Sequence, residues 1–432
     1  MSEQATSAGE PAAEGQAPQP AKKRGRPSKR GLKREALLEG AAGMFNARGI
    51  AATSLSDIAE GLGLSRATVY YYVNDRAELV FQCYLRACEL MAEDLAAAGE
   101  AADGLQRTLS FVEHALTPDR PPTAVLTEIN YLEGAQAEIV KVAHARNVAT
   151  LIGFIETGVA DGSIRPCDRQ VVAQSIIGML AWGRLSPGWV ESRDGRAFRS
   201  RLLKAMIALL SDGMARDPAA GLVCAIDADG FLPGRFNAFD RREASEVKID
   251  QLLTAASRLF NRDGIEATSL DAITESLGAT KGVLYHYLRD KADLVMRCYG
   301  RAFDLYDRFA ETAAAQGRDG LEQALIGAHL NVQAQAGALT PLMPQPGLEA
   351  LPQPGRAALT ARANRLHSLF IRLLREGVAD GSCRPCDAPM IALMGAGPFA
   401  WLAKWLPADD PRSPRQLADE ICMLYFKGLR AR

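Results

Sequence analysis

Cys383 and Cys386 enclose Arg384 and Pro385 in a C-x-x-C, the spacing at which two thiols can exchange a disulfide or supply half of a zinc site. No second cysteine pair and no histidine cluster lies nearby in sequence, and the matching stretch earlier in the chain has Ile164 where Cys383 stands, with Cys167 alone. A thiol-bearing loop is the plainer reading; a thiol redox protein using Cys383 and Cys386 is the alternative from a different functional class. His114, His144, His329 and His367 show no metal-ligand spacing. No Gly-x-Ser-x-Gly elbow, phosphate loop or paired-carboxylate signature occurs. No catalytic residue, metal or cofactor is therefore expected, and the chain does not read as an enzyme.

Charge offers a different chemistry. Lys22, Lys23, Arg24, Arg26, Lys29, Arg30, Lys33 and Arg34 follow one another with no acidic residue among them. The whole chain has a net charge of only -1, so affinity for nucleic acid has to come from local clusters of this kind. Arg24-Gly25-Arg26-Pro27 has the form of an AT-hook core, whose arginines can lie in a narrow minor groove; a solvated basic tail that attracts phosphate without reading sequence is the alternative. The first twenty residues lack the apolar run of a signal peptide and read as a disordered lead-in, from which a cytoplasmic location is expected. The apolar stretches Val171 to Trp182 and Met390 to Ala403 stop well short of the ~20 residues of a membrane span and read as buried core helices. Aromatic residues make up only 6% of the chain against 48% hydrophobic, an Ala- and Leu-rich balance that points to a soluble helical protein.

The 432 residues are written twice. LFNRDGIEATSL at 259–270 echoes MFNARGIAATSL at 44–55, and a gapless offset of 215 gives 24 identities in the 50 positions from Leu37 to Arg86. GVADGSIRPCD at 158–168 returns as GVADGSCRPCD at 377–387, with Trp182 and Trp401 following at the same offset of 219. Whole units are thus duplicated. Pro218, Gly221, Gly230, Pro233 and Gly234 mark residues 217–247 as a linker with room for a short hairpin at Asp229-Gly230.

These chemistries need elements to hold them. Leu37, Leu38, Ala41, Ala42 and Phe45 recur at helical spacing, and Gly49 supplies a left-handed stop. Ser54 with Asp57 predicts a capping box for a short helix from Leu55 to Gly61, Gly63 makes a turn, and Ser65 caps a third helix. Val69 and Val73 face inward on that helix, leaving Ala67, Thr68 and Tyr71 outward. Asp75 and Glu78 predict a capping box opening a long helix. The second copy repeats the scheme with Gly264, Ser269, Gly278, Thr280 and Asp290. Two short helices joined by a glycine turn have the dimensions of a helix-turn-helix whose second helix enters the major groove.

TSLSDIAEGLGLSRATVYYYVNDRAEL at 53–79 resembles the DNA-binding signature of the TetR family of transcriptional repressors nearly throughout, and TSLDAITESLGATKGVLYHYLRDKADL at 268–294 is also a good match. The resemblance covers about 50 residues per copy. It implies an all-α fold: two tandem units, each a three-helix helix-turn-helix head on a larger helical bundle with an effector pocket. Dimerisation would use the last two helices, roughly Val171 to Trp182 with Phe198 to Met214, and Met390 to Trp405 with Gln416 to Leu429. One chain then carries both halves of a pseudo-dimer, with further dimerisation open. The divisions expected are a basic tail at 1–30, a first head at 31–80 and body at 81–216, the linker at 217–247, and a second head at 248–295 and body at 296–432.

Carried onto this sequence, the resemblance places Thr53 and Thr268 near phosphate at the start of the second helix of each head, with Tyr70 and Tyr285 also on phosphate. Arg76 and Lys291 become cations beside the backbone. It makes Arg66, Thr68 and Tyr71 the base-edge contacts, matched in the second head by Lys281, Val283 and His286, with Arg24 and Arg26 of the tail as minor-groove candidates. Exchange of Thr68 for Val283 replaces a hydroxyl by methyl groups suited to thymine, so two unlike half-sites are expected, near one helical turn apart. The implied function is a ligand-responsive repressor with an operator duplex and a small-molecule effector as partners; a constitutive or architectural DNA-binding protein is the alternative within the same class.

Overall fold

The computed structural model describes residues 29–185, 195–221, 224–234, 240–279, 282, 287–345 and 353–432. The first copy consists of α1 (Lys29–Arg48), α2 (Leu55–Gly61), α3 (Arg66–Tyr70), α4 (Arg76–Ala98), α5 (Gly104–Leu116), α6 (Gly134–Asp161), α7 (Arg169–Leu185) and α8 (Gly195–Asp212). The second follows with α9 (Arg241–Asp263), α10 (Leu270–Ser276), α11 (Lys291–Gln316), α12 (Gly320–Ala336) and α13 (Gln353–Asp380), then α14 (Ala388–Gly395), α15 (Gly397–Ala400), α16 (Leu402–Trp405) and α17 (Pro414–Lys427). No strand occurs among the described residues; the only β-type pairings there are two isolated bridges, Ile164 with Arg430 and Ala215 with Cys383.

Each head has its own small core. Leu37, Leu38, Ala41, Ala42 and Phe45 of α1 are buried against Ile58, Val69, Val73 and Leu79, each large side chain contributing about 1.5 to 3 kcal/mol. Leu252, Leu253, Ala256 and Phe260 do the same in the second head. Gly49 and Gly264 end α1 and α9 at φ 82° and 95°, a backbone region costly for any other residue.

The bodies share one core, and α7 shows why. Every residue from Val171 to Trp182 is buried, the pattern of a helix covered on all sides: α6 lies on one side, and α14, α15 and α17 of the other copy on another. Gly178 and its counterpart Gly397 face each other across the two copies. A Cβ on Gly178 would stand 2.7 Å from the Gly397 carbonyl oxygen, and one on Gly397 would stand 2.4 Å from that of Gly178, so only glycine lets these backbones meet. The repeated GVADGS-x-RPCD motif braces the same junction. Within each copy Asp161 and Asp380 accept from the Gly104 and Gly320 amides, each at 3.0 Å, and across the junction Arg165 donates to the Gly428 carbonyl at 2.7 Å and Arg384 to that of Ala215 at 2.9 Å. Arg201 adds two bonds to Asp387 at 2.9 Å. The bodies of the two copies thus pack against each other within one chain.

One expectation is corrected. Ala228–Phe231 is a 3-10 turn, capped by Asp227, rather than a hairpin. Cys224, Ala228, Phe231 and Leu232 pack with Phe309 and Leu330 of the second body, so this part of the linker is built into a core; its apolar residues follow a turn and so lack helical period. The helix of the second head starts at Arg241.

Candidate nucleic-acid interface

Ser54 accepts from the Asp57 amide at 3.1 Å while Asp57 accepts from the Ser54 amide at 2.8 Å, closing the capping box that opens α2. Its hydrogen bonds hold the Asp57 carboxyl below the usual range. Gly63, at φ 62°, turns the chain so that the Leu64 amide reaches back to the Ala59 carbonyl at 2.8 Å. Ser65 then caps α3, accepting from the Thr68 amide at 3.1 Å and bonding the Thr68 hydroxyl at 2.8 Å. Val69 and Val73 anchor this helix in the head core. The opposite side carries Arg66 and Ala67, both exposed, a half-buried Thr68, and Tyr70 and Tyr71 at 56% and 61% exposure. Two such aromatics left in solvent beside arginine form a surface suited to a charged, hydrogen-bonding polymer.

Arg30 belongs to this face, although sequence placed it in the tail. It lies in the first turns of α1 with its guanidinium 4.9 Å from the centre of the Tyr71 ring, while the Tyr72 hydroxyl donates to the Arg30 carbonyl at 3.5 Å. Nothing in the sequence spacing signals this contact, because it depends on how α1 crosses α3.

Thr53 and Thr268 are placed differently from expectation. Both are buried, and their hydroxyls donate to the Gly49 and Gly264 carbonyls at 2.7 and 2.8 Å. In this arrangement the hydroxyls close the turn after α1 and α9 and do not face solvent. Arg76 donates to the Ala51 carbonyl at 2.9 Å and to the Tyr131 hydroxyl at 2.8 Å; Lys291 donates to the equivalent Glu266 carbonyl at 3.2 Å, and partial burial lowers the pKa of its ammonium. Both cations tie the fourth helix of their head to the loop after its first.

In the second head Ser269 accepts from the Ala272 amide at 3.0 Å. With alanine where the first head has Asp57, the reciprocal half of the capping box is absent. Asp75 and Asp290 cap α4 and α11 alike, although Glu78 reaches the Asn74 amide, at 2.7 Å, rather than that of Asp75. Lys281, Val283, Tyr285 and His286 lie outside the described residues, as do Arg24 and Arg26.

Sequence reasoning missed the residues that fasten heads to bodies. Arg86 bonds Glu35 at 2.6 Å and Glu39 at 3.1 Å on α1, and the Pro122 carbonyl at 3.0 Å in the body. Its counterpart Arg301 bonds Asp250 at 2.6 Å and the Leu339 carbonyl at 2.7 Å. That both copies keep this arginine is the one sequence signal that could have found it.

The bodies hold two chambers at equivalent places. One is lined by residues of α4 to α7 and closed by Trp401 of the second copy; the other is lined by residues of α11 to α15 and closed by Trp182 of the first. Thiol chemistry finds no support. Burial pushes Cys383 up to about 12 and raises Cys386 as well, which disfavours the reactive thiolate. Among the described residues no group of three or more His, Cys, Asp or Glu could hold a metal ion, and no helix is long and apolar enough to cross a membrane.

The family model described as "Bacterial regulatory proteins, tetR family" matches residues 37–83 and 252–298, and that described as "Tetracyclin repressor-like, C-terminal domain" matches 98–216 and 321–429. The HTH-type transcriptional repressor KstR2 of Mycolicibacterium smegmatis is 26% identical over 187 residues, 42% of this chain and 89% of that protein. The probable HTH-type transcriptional regulator ArpR of Pseudomonas putida is 40% identical over 72 residues, 17% of this chain and 34% of that protein. The solved structure of the ketosteroid transcriptional regulator KstR2 of Mycobacterium tuberculosis aligns with 43% of this chain and 96% of its own at 18% identity, with a TM-score of 0.37.

Proposed function

Since the chain belongs to the TetR family of bacterial transcriptional regulators, and carries the family's head and body twice, we propose that it is a cytoplasmic repressor whose single polypeptide reads two unlike half-sites and is released by a small molecule. The observation that carries this reading is the exposed face of α3, with Arg66, Tyr70 and Tyr71 presented beside Arg30, on a body that shares one core with its own second copy.

In this reading Arg66, Thr68 and Tyr71 address base edges of one half-site, and Lys281, Val283 and His286 those of the other. Tyr70, Tyr285 and Arg30 meet phosphate. Arg76 and Lys291 set a cation beside the DNA backbone, Thr53 and Thr268 position the reading helices from behind, and Arg24 and Arg26 of the 1–30 tail extend into a flanking minor groove. The heads at 31–80 and 248–295 supply DNA contact, and the bodies at 81–216 and 296–432 supply the intrachain interface and the effector site, joined by the linker at 217–247. Half-sites about 34 to 36 Å apart follow if adjacent major-groove turns are used. An effector that favours a conformation with displaced heads would weaken operator binding by the ratio of its affinities for the two states.

Footprinting on a selected operator tests this. Protection of two non-identical half-sites that is lost on adding an effector is the expected result. Binding that is indifferent to sequence would favour an architectural role, and a perfectly symmetric operator would remove the unlike heads from the account.

A further inference from the structure

The two chambers occupy equivalent places but are built from different residues. In the first, Phe111 and His144 line the space, Asp94 and Arg120 form a 2.8 Å ion pair with little exposure, and Arg184 borders them from an exposed position on α7. About 80 Å³ remains. At the matching positions of the second copy Phe111 becomes Gly327, His144 becomes Ala363, Asp94 becomes Phe309 and Arg184 becomes Ala403. Each of these four groups has been removed or made apolar, and the chamber, partly open to solvent, holds about 180 Å³.

Gly327 is the telling position. It stands within α12, where glycine is less favourable than alanine, and a Cβ placed on it meets nothing within 4 Å. Packing does not demand this glycine; the space beside it is open. The chamber wall is also rebuilt at the helix that faces the other copy. Pro398 cannot donate to the Met394 carbonyl, so the stretch that is one continuous α7 in the first copy is divided into α14, α15 and α16 in the second. The Tyr425 hydroxyl donates to the carbonyl of Gly395 at the break, at 2.6 Å. Gly395, Ala396 and Phe399 of this broken stretch line the chamber, and Gly397 between them is the residue packed on Gly178 of the first copy. An occupant would therefore press on the contact that sets the two copies.

We infer that the chain carries one ligand site, in the second body only, and that it takes a neutral, mostly apolar molecule of one or two rings with a single hydrogen-bonding group. The lining contains no Asp, Glu, Lys or Arg; Tyr306, Phe309, Phe370 and Phe399 supply flat apolar walls, and Gln323, Asn331 and His367, whose pKa burial lowers, supply the polar contacts. A dry apolar cavity of about 150 Å³ admits a benzene ring, which sets the size. The first body is a self-filled copy that keeps the scaffold and has given up sensing. This rests on the ligand-released reading above for its regulatory consequence, although not for the site itself.

Titration calorimetry of the full chain with 2-naphthol, and with 2-naphthoate as the charged analogue, tests the assignment. The expected result is one 2-naphthol per chain, with 2-naphthoate at least tenfold weaker. Gly327→Phe, which copies the first body's solution, and Gly395→Ile, which restores the first copy's residue, should each weaken 2-naphthol at least tenfold while melting temperature and operator binding are kept. Two sites per chain, no saturable binding, equal affinity for the anion, or full binding in whichever of the two variants folds would overturn it. Operator affinity measured with and without 2-naphthol separates the two readings: a single site with unchanged operator affinity supports this assignment and removes ligand release, whereas intact operator binding with no 2-naphthol site removes the assignment alone.

Discussion

Lys404→Met should disturb both the stability of the chain and the placement of its heads. Lys404 projects from α16 into a junction of three parts of the molecule. Its Nζ donates to the Thr127 carbonyl of the first body at 2.5 Å and to the Arg262 carbonyl at the end of α9, in the second head, at 2.8 Å. The end of a helix is a place where a cation is favoured. Glu128, which is 8% exposed, and Asp263 face the ammonium, and Asn130 donates to Asp263 at 2.7 Å. Next to Asn130, Tyr131 holds Arg76 of the first head, so residues 127–131 link one head to the other. Methionine keeps the length of the side chain but strands a buried carboxylate and two carbonyls. Each carbonyl left without its donor costs roughly 1 to 3 kcal/mol, and the half-buried position of Lys404 puts the combined loss at about 3 kcal/mol. That is a large part of the 5 to 15 kcal/mol typical of a domain. Urea unfolding at neutral pH reads it. Adding Glu128→Gln should recover about 1 kcal/mol or more, since the stranded charge is gone. The folded variant should also tolerate operators with altered half-site spacing that the wild type rejects. A Lys404→Met chain within 1 kcal/mol of wild type, or a double variant no better than the single one, would refute the reasoning.

The same lysine makes stability depend on pH. Burial lowers its pKa from the ordinary 10.5 to about 8, so between those values the unfolded chain holds a proton that the folded chain has released. Stability from this group therefore rises as pH climbs from 8 towards 10.5, by roughly 2 kcal/mol after allowance for partial exposure; the difference in urea midpoint between wild type and Lys404→Met, followed across that range, measures it. Arg66→Ala should cost about 1 to 3 kcal/mol at one base position of one half-site, seen as relaxed preference there in competition binding, whereas Arg30→Ala should weaken all sequences alike and lower the salt slope. Thr53→Val should cost about 1 kcal/mol of stability through the lost bond to Gly49, and operator affinity at low temperature, where the head stays folded, should remain within threefold of wild type; a tenfold loss there would restore the phosphate contact.

Much of the heads was legible because their determinants are local. Ser54 with Asp57, Ser65, Gly49 and Gly63 act within three or four residues, and the face that Val69 and Val73 turn inward leaves Arg66 and Tyr71 outward by helical geometry alone. The duplication was legible as identity. What escaped depends on packing between distant parts: Arg30 over Tyr71, Arg86 between Glu35, Glu39 and Pro122, and Lys404 between Thr127 and Arg262 join residues far apart in sequence with no periodic signal. The family resemblance placed Thr53 near phosphate; its burial comes from the turn after α1, which the motif does not reveal. The linker hid its contribution because Phe231 packs from a 3-10 turn. Arg165 and Arg384 stood in plain view inside a repeated motif, but their partners lie in the opposite copy.

Native mass spectrometry of the chain on the duplex selected from a random pool tests the central claim most directly. The account predicts one chain bound to a duplex carrying two unlike half-sites. Two chains on a perfect palindrome, with one head of each engaged, would contradict it.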